Sequence, residues 1–395
     1  MNTAFSIAGL PQIHFGSGVL TTLPGLIEDY ASPVLFITGR NSFVQSLAWQ
    51  NLLHEMDSRA IDYGHCQLSG EPSPVWIDEI VRVHRDIHYT VVIGIGGGSV
   101  MDAAKAIAGL LKVERSVMDY LEGVGPELEY AGPAVPFIAV PTTAGTGSEA
   151  TRNAVLSLHG ESGFKKSFRH EKLVADYALV DPDLLATCPP ELIAANGMDA
   201  LTQLLESYVS IKANPFTDAL AVSGLKAVKA GLLPWYKNGG LEKTAMGNMA
   251  YAALLSGITL AQVGLGVVHG LAAPLGAFFP IPHGVACGTL VACATEINIR
   301  AMQESEPNNR ALARYAEVAE ILCACHFASP SLAFDGLIQL LRHWTEQMKL
   351  PTLSQLGIKD SDFERIIANC RGSSMKTNPI VLSDSQIKNL LRARL

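Results

Sequence analysis

Two stretches of this chain put small residues and hydroxyls where a nucleotide phosphate could sit. Gly96-Gly97-Gly98-Ser99 directly follows the apolar run VVIGI and directly precedes Val100–Leu111, which has helical spacing. Glycines there let the backbone approach a pyrophosphate, and N–H groups at a helix start attract the anion. Alone, the run is equally a plain strand-to-helix turn, because Ser99 stands where a G-x-G-x-x-G motif has its last glycine. A second loop, Pro141-Thr142-Thr143-Ala144-Gly145-Thr146-Gly147-Ser148-Glu149, follows the run FIAV. It offers hydroxyl donors at the carboxyl end of a strand, where open α/β sheets bind ligands. Two such loops in one sheet point to a shared ligand. Farther on, Asp199 and Gln203 lie four residues apart, so on a helix they share a face and project toward one point. His269 and His283 follow, with Pro280 and Pro282 between them. The prolines break any continuous helix, leaving His269 on one helix and His283 at the start of the next. Each of these residues taken singly also fits a plain role: Asp199 an N-cap or helix-face charge, His269 a satisfied core histidine, His283 a helix cap.

The elements that must position them alternate in the first half of the chain. SPVLFITGRNSF gives a strand over Val34–Thr38, IDYGHCQ another from Ile61, and PVWIDEIVRVHRD a helix from Pro74. VVIGI, FIAV and ADYALV supply further strands, and Val100–Leu111 a further helix. Strands alternating with helices imply βαβ units in a parallel sheet, and unbroken apolar runs fit strands covered on both faces. From Glu191 onward there are long runs at helical spacing, punctuated by prolines, and no convincing strand. The expectation is an α/β, Rossmann-like domain over residues 1–190 and an all-helical domain over 191–395.

Bulk properties narrow the function. At 395 residues with 48% hydrophobic and 17% charged residues, the chain can bury two cores. A net charge of −8, without a long Lys/Arg run, argues against nucleic acid or anionic membrane as partner. The N-terminus lacks the basic and apolar regions of a signal peptide. The apolar stretch Tyr251–Pro280 contains Gln262, His269 and Pro274 and reads as a buried helix pair rather than a membrane span. Seven scattered cysteines read as reduced thiols in a cytoplasmic protein.

The motifs GGGSVMDAAK (96–105), PTTAGTGSEAT (141–151), DPDL (181–184), GMDAL (197–201) and PHG (282–284) together resemble the iron-containing (group III) alcohol dehydrogenases, of the dehydroquinate synthase-like fold. The likeness runs from Phe15-Gly16 to at least Gly288. It implies that the cofactor pyrophosphate lies on Gly97, Gly98 and Ser99 with Asp102 close behind. It also implies that Thr142, Thr143 and Thr151 contact the adenosine or nicotinamide side, and that Lys165 (or its neighbour Lys166) and Leu179 belong to the same pocket. NAD-preferring members carry an Asp after the first strand; here Gly39, Arg40, Asn41 and Ser42 occupy that turn. No carboxylate would repel a 2′-phosphate, and Arg40 and Ser42 suit one, so NADP is expected over NAD.

The resemblance further implies one divalent metal, Fe²⁺ or Zn²⁺, held by Asp199, His269, His283 and a fourth residue. That fourth position reads Gln203 where the family has histidine. A glutamine carbonyl oxygen is a harder and weaker donor than imidazole, so affinity should fall. Ala273 replaces another histidine found near the nicotinamide in many members, and no side-chain base is assigned. The expected reaction is hydride transfer between NAD(P)(H) and a small alcohol or aldehyde in an interdomain cleft, guessed to be lined by Phe164, Leu179, Val263, Val267 and Phe278, in a homodimer. Alternatives on the same fold are a metal-independent reductase of the maleylacetate reductase type, a metal-dependent lyase or cyclase, and a non-catalytic nucleotide sensor. Cys323-Ala324-Cys325-His326 reads as buried helix thiols rather than a metal clip, His84 and His88 as a solvated face, and Met246 and Met249 as core.

Overall fold

A computed structural model describes residues 4–160 and 162–395. The chain divides into two compact units. One comprises Ala8–Leu158 with Gly163–Cys188; the other comprises Pro189–Leu395 with His159–Ser162 and the N-terminal residues through Ile7.

The first unit is built on β1 (Gln12–Phe15), β2 (Val34–Gly39), β3 (Tyr63–Leu68), β4 (Val91–Gly96), β5 (Phe137–Pro141), β6 (Asn153–Leu158), β7 (Phe164–Arg169) and β8 (Tyr177–Val180). Six of these form a parallel sheet in the order β1-β8-β5-β4-β2-β3, and β6 and β7 form a separate antiparallel hairpin. Successive side chains of a strand point to opposite faces, which explains the unbroken apolar runs. Val34 and Phe36 of β2 pack on one face with residues of α1 (Leu23–Glu28) and α2 (Leu47–Ser58), including Ile27, Trp49 and Met56. Leu35 and Ile37 pack on the other with α3 (Pro74–His84) and α4 (Gly98–Leu110), including Ile77, Val81 and Met101.

The connection order matters for ligand binding. From β2 the chain steps outward to β3, then returns to place β4 on the opposite side of β2 and β5 beyond it. The direction of winding therefore reverses between β2 and β4, and open α/β sheets bind ligands outside the strand ends at that reversal.

The second unit is helical: α5 (Pro190–Val209), α6 (Pro215–Asn238), α7 (Lys243–Val263), α8 (Val267–Phe278), α9 (His283–Ser305), α10 (Arg310–Cys323), α11 (Pro330–Gln347), α12 (Phe363–Asn369) and α13 (Asp384–Arg392). The apolar stretch around residues 251–280 is the α7–α8 pair, bent by 101° at its break. Helix α9 is long and apolar enough to cross a membrane, yet 83% of its most apolar window is buried within the protein. Met246 and Met249 are core residues.

Three local expectations change. The segments forming β1, β6 and β7 carry no clear strand signal, yet they are strands. Helix α10 ends at Cys323, Ala324 takes a left-handed conformation and Cys325 is exposed, so Cys323 and Cys325 are not a buried helical pair. His84 closes α3 and lies 3.1 Å from both the Cys66 thiol and the Tyr89 hydroxyl, so it does not share a solvated face with His88.

Candidate metal and cofactor sites

In the α/β unit, the glycine turn closes β4 and Gly97 is the N-cap of α4, with no side chain capping it. The backbone donors of that first turn are thus not taken by a cap, as an anion site at a helix N-terminus requires. The second loop packs directly against it. Gly96 and Pro141 are in register across β4 and β5, and the Thr142 N–H donates to the Gly96 carbonyl at 2.8 Å. A Cβ on Gly97 would lie 3.3 Å from the Thr143 side chain, so glycine at position 97 keeps this close approach of the two loops uncrowded. On the other side, Thr38 of β2 pairs with Ile95, which brings the turn Gly39-Arg40-Asn41-Ser42 beside the glycine turn at the winding reversal. Arg40, Asn41 and Ser42 are exposed.

Beneath these loops lies a charged network that the sequence did not announce. Lys105 is fully buried, and its Nζ shares its three N–H groups among the Ser148 carbonyl (2.8 Å), the Ser148 hydroxyl (2.7 Å), the Thr151 hydroxyl (2.9 Å) and the Asn153 carbonyl (2.8 Å). Asp102 lies 3.5 Å from the same ammonium and accepts from Ser148 Oγ at 2.6 Å. Burial lowers the Lys105 pKa and raises that of Asp102, each partly offset by the other. Burial also pushes Glu149, next to this network, up to about 7. Asp102 and Thr151 thus brace the second loop against α4. Lys165 lies on β7 with its ammonium 2.5 Å from Glu71, and Leu179 is a fully buried core residue of β8. The DPDL motif holds the fold together, because the Asp181 carboxylate accepts from the backbone N–H groups of Gly18, Leu20 and Asp183.

In the helical unit, Asp199 and Gln203 fall on α5, His269 in the first turn of α8, and His283 at the first position of α9. A Cβ on Gly284 would lie 2.6 Å from the Ala195 carbonyl oxygen, so the glycine of the PHG motif lets α9 start against the α5 backbone. The three predicted donors converge. His269 Nε2 lies 3.2 Å from Asp199 Oδ1, and His283 Nε2 lies 3.7 Å from the same oxygen. Gln203 is fully buried with its amide nitrogen 3.5 Å from Asp199 Oδ2, and its Oε1 has no hydrogen-bond partner among the described residues. A fourth group, not foreseen, completes the cluster. Cys287 Sγ lies 3.6 Å from His269 Nε2 and 3.8 Å from His283 Nε2. The ligand atoms of Asp199, His269, His283 and Cys287 all fall within 4.8 Å of one another.

Glu206, also unforeseen, orients this cluster. It stands seven residues after Asp199 on α5 and accepts from the backbone N–H groups of Gly266 (2.9 Å) and Val268 (2.7 Å) at the start of α8. It also lies 2.7 Å from His269 Nδ1. A carboxylate at Nδ1 fixes the tautomer that leaves the Nε2 lone pair facing the cluster. That lone pair then meets an Asp199 oxygen at 3.2 Å, two electron-rich atoms that need a proton or a cation between them. Burial alone would lower the His269 pKa, but Cys287, Asp199 and Glu206 raise it well above the ordinary value. Burial alone would raise the Asp199 pKa, but His283 and His269 hold it far below the usual carboxylate range. The donor set and its convergence fit a divalent cation.

Two family models cover the chain: iron-containing alcohol dehydrogenase over residues 11–182, and the C-terminal family of Fe-containing alcohol dehydrogenases over residues 193–395. The chain belongs to the iron-containing alcohol dehydrogenases. It is 32% identical to alcohol dehydrogenase 4 of Saccharomyces cerevisiae over 388 residues, covering 97% of this chain and 96% of the relative. It is 30% identical to the NADPH-dependent butanol dehydrogenase of Clostridium saccharobutylicum over 395 residues, covering 96% of each. The crystal structure of a 1,3-propanediol oxidoreductase superposes with a TM-score of 0.90 at 26% identity, over all of both chains. This alcohol dehydrogenase accordingly uses NAD(P), and its family implies a divalent metal. The lyase, reductase and sensor alternatives are not favoured.

Proposed function

We propose that this dehydrogenase interconverts a small alcohol and its aldehyde with NADP(H), using a divalent cation held by Asp199, His269 and His283. The observation that carries the reading is the convergence of a buried carboxylate and two imidazole nitrogens from three helices on one point. When bound, the cation would polarise the substrate oxygen as a Lewis acid and the nicotinamide would carry the hydride.

The chain's own residues have distinct roles in this reading. Gly97, Gly98 and Ser99 present the α4 N-terminus to the pyrophosphate, with Thr142 and Thr143 on the adjoining loop. Lys105, Asp102, Ser148 and Thr151 hold that loop in place, so it need not be ordered when the nucleotide binds. Arg40 and Ser42, exposed beside the glycine turn, would take the 2′-phosphate. Support for NADP comes from that turn and from the absence of an acidic residue in it. Glu206 keeps His269 in the tautomer that presents Nε2. Position 273, four residues after His269 on α8, is alanine and cannot relay a proton.

The test is metal analysis of purified protein together with an NADPH-oxidation screen across short aldehydes, on wild type and Asp199→Ala. Wild type should carry close to one metal per chain and oxidise NADPH; Asp199→Ala should lose both. Full turnover in Asp199→Ala would remove the metal from the reaction.

A further inference from the structure

We propose that the Cys287 thiolate, not the Gln203 amide, is the fourth protein ligand of the cation. The inference rests on the metal reading above and adds to it which side chain replaces the missing imidazole.

Position supports it first. Cys287 lies one turn after His283 at the beginning of α9, so both side chains project from one face of that helix. Distances support it next. With zinc–nitrogen and zinc–oxygen bonds of about 2.0–2.1 Å and a zinc–sulfur bond of about 2.3 Å, a tetrahedral set has sulfur–nitrogen edges of about 3.6 Å and oxygen–nitrogen edges of about 3.3 Å. The observed sulfur–nitrogen separations are 3.6 and 3.8 Å, and the oxygen–nitrogen separations are 3.2 and 3.7 Å. Four donors from α5, α8 and α9 thus already stand at separations that a single cation could span, all within 4.8 Å of one another. Gln203 stands differently. Its amide touches Oδ2 of Asp199, whereas both imidazoles gather on Oδ1.

Chemistry allows it: on coordination the thiol gives its proton to solvent and binds as the thiolate. A sulfur ligand also softens the site, favouring zinc or cobalt over harder cations.

The experiment titrates metal-free full-length protein with Co²⁺, recording the near-ultraviolet spectrum and the affinity against a competing chelator. Wild type should develop a thiolate-to-cobalt charge-transfer band. Cys287→Ala and Cys287→Ser should lose the band and bind Co²⁺ and Zn²⁺ about 100-fold more weakly or worse, more than the ~10–100-fold typical of losing an outer partner of a metal ligand. Gln203→Ala should keep the band and stay within about 10-fold of wild type. Thermal melts of the metal-free forms check that the variants fold, and the wild-type spectrum decides the question without any variant. Bound cobalt with no thiolate band would overturn the proposal. So would wild-type affinity in Cys287→Ala combined with a collapse in Gln203→Ala. If wild type takes up neither Co²⁺ nor Zn²⁺, the metal reading itself falls.

Discussion

The two chemical regions of this dehydrogenase handle buried charge in opposite ways. Around Lys105, one ammonium is surrounded by oxygen acceptors from Ser148, Thr151 and Asn153, with Asp102 nearby, so the cation that these oxygens meet is the protein's own. Around Asp199, the groups that meet are a carboxylate, two imidazoles and a thiol. The first is a finished hydrogen-bond network; the second is a set of donors to a cation. The difference teaches that burial of ionisable groups alone does not mark a ligand site. What marks one is the convergence of metal-ligating atoms with no lysine or arginine among them.

That contrast can be broken at either end. Replacing Lys105 with Met should destabilise the α/β unit by about 3–5 kcal/mol, because it strands Asp102 and several buried acceptors, while leaving metal content intact. Chemical denaturation and metal analysis of the same preparation would check both halves. If Lys105→Met lost metal instead of stability, the two regions would not be independent. At the other end, Glu206→Gln should weaken metal binding by about 10–100-fold through a misoriented His269, read by chelator competition, with nucleotide binding unchanged. A smaller effect is expected at the exposed turn: Arg40→Ala should raise KM for NADPH by about 10-fold, the loss of one charged hydrogen bond, and leave KM for NADH alone. Equal changes for both cofactors would remove the 2′-phosphate contact.

The last test is a pH dependence. Glu149 has a folded pKa raised to about 7 from an ordinary value of 4.5, so the folded state holds its proton more tightly than the unfolded chain. This contribution to stability is therefore present below about pH 4.5 and is lost as pH rises toward 7. Glu149→Gln should flatten that part of the stability–pH curve, and an unchanged curve would show that Glu149 ionises normally.

The sequence made much of this legible, for physical reasons that also explain the rest. VVIGI followed by glycines and a helical run could only be a strand, a turn and a helix, and β4 and α4 are there. β1 escaped because QIHF is short and its partner, β8, lies far along the chain. β6 and β7 escaped because they pair with each other outside the parallel sheet, and the run leading to β6 looks like continued loop. Asp199, His269 and His283 could be paired with the family motifs. Glu206 and Cys287 could not, since they act through contacts made only when α5, α8 and α9 pack. A signal existed in each case: an acid seven residues beyond Asp199 on a buried helix, and a thiol one turn beyond a helix-opening histidine.

The pairing of β1 with β8, secured by the Asp181 carboxylate on the Gly18 and Leu20 amides, sets an order on biosynthesis. β1 has no neighbour until nearly the whole α/β half has been made, so it must wait unpaired through most of that synthesis. Closing so long a loop comes late and slowly. The nascent chain therefore carries an unmatched sheet edge, a hazard for association with other chains, until its eighth strand emerges to receive it.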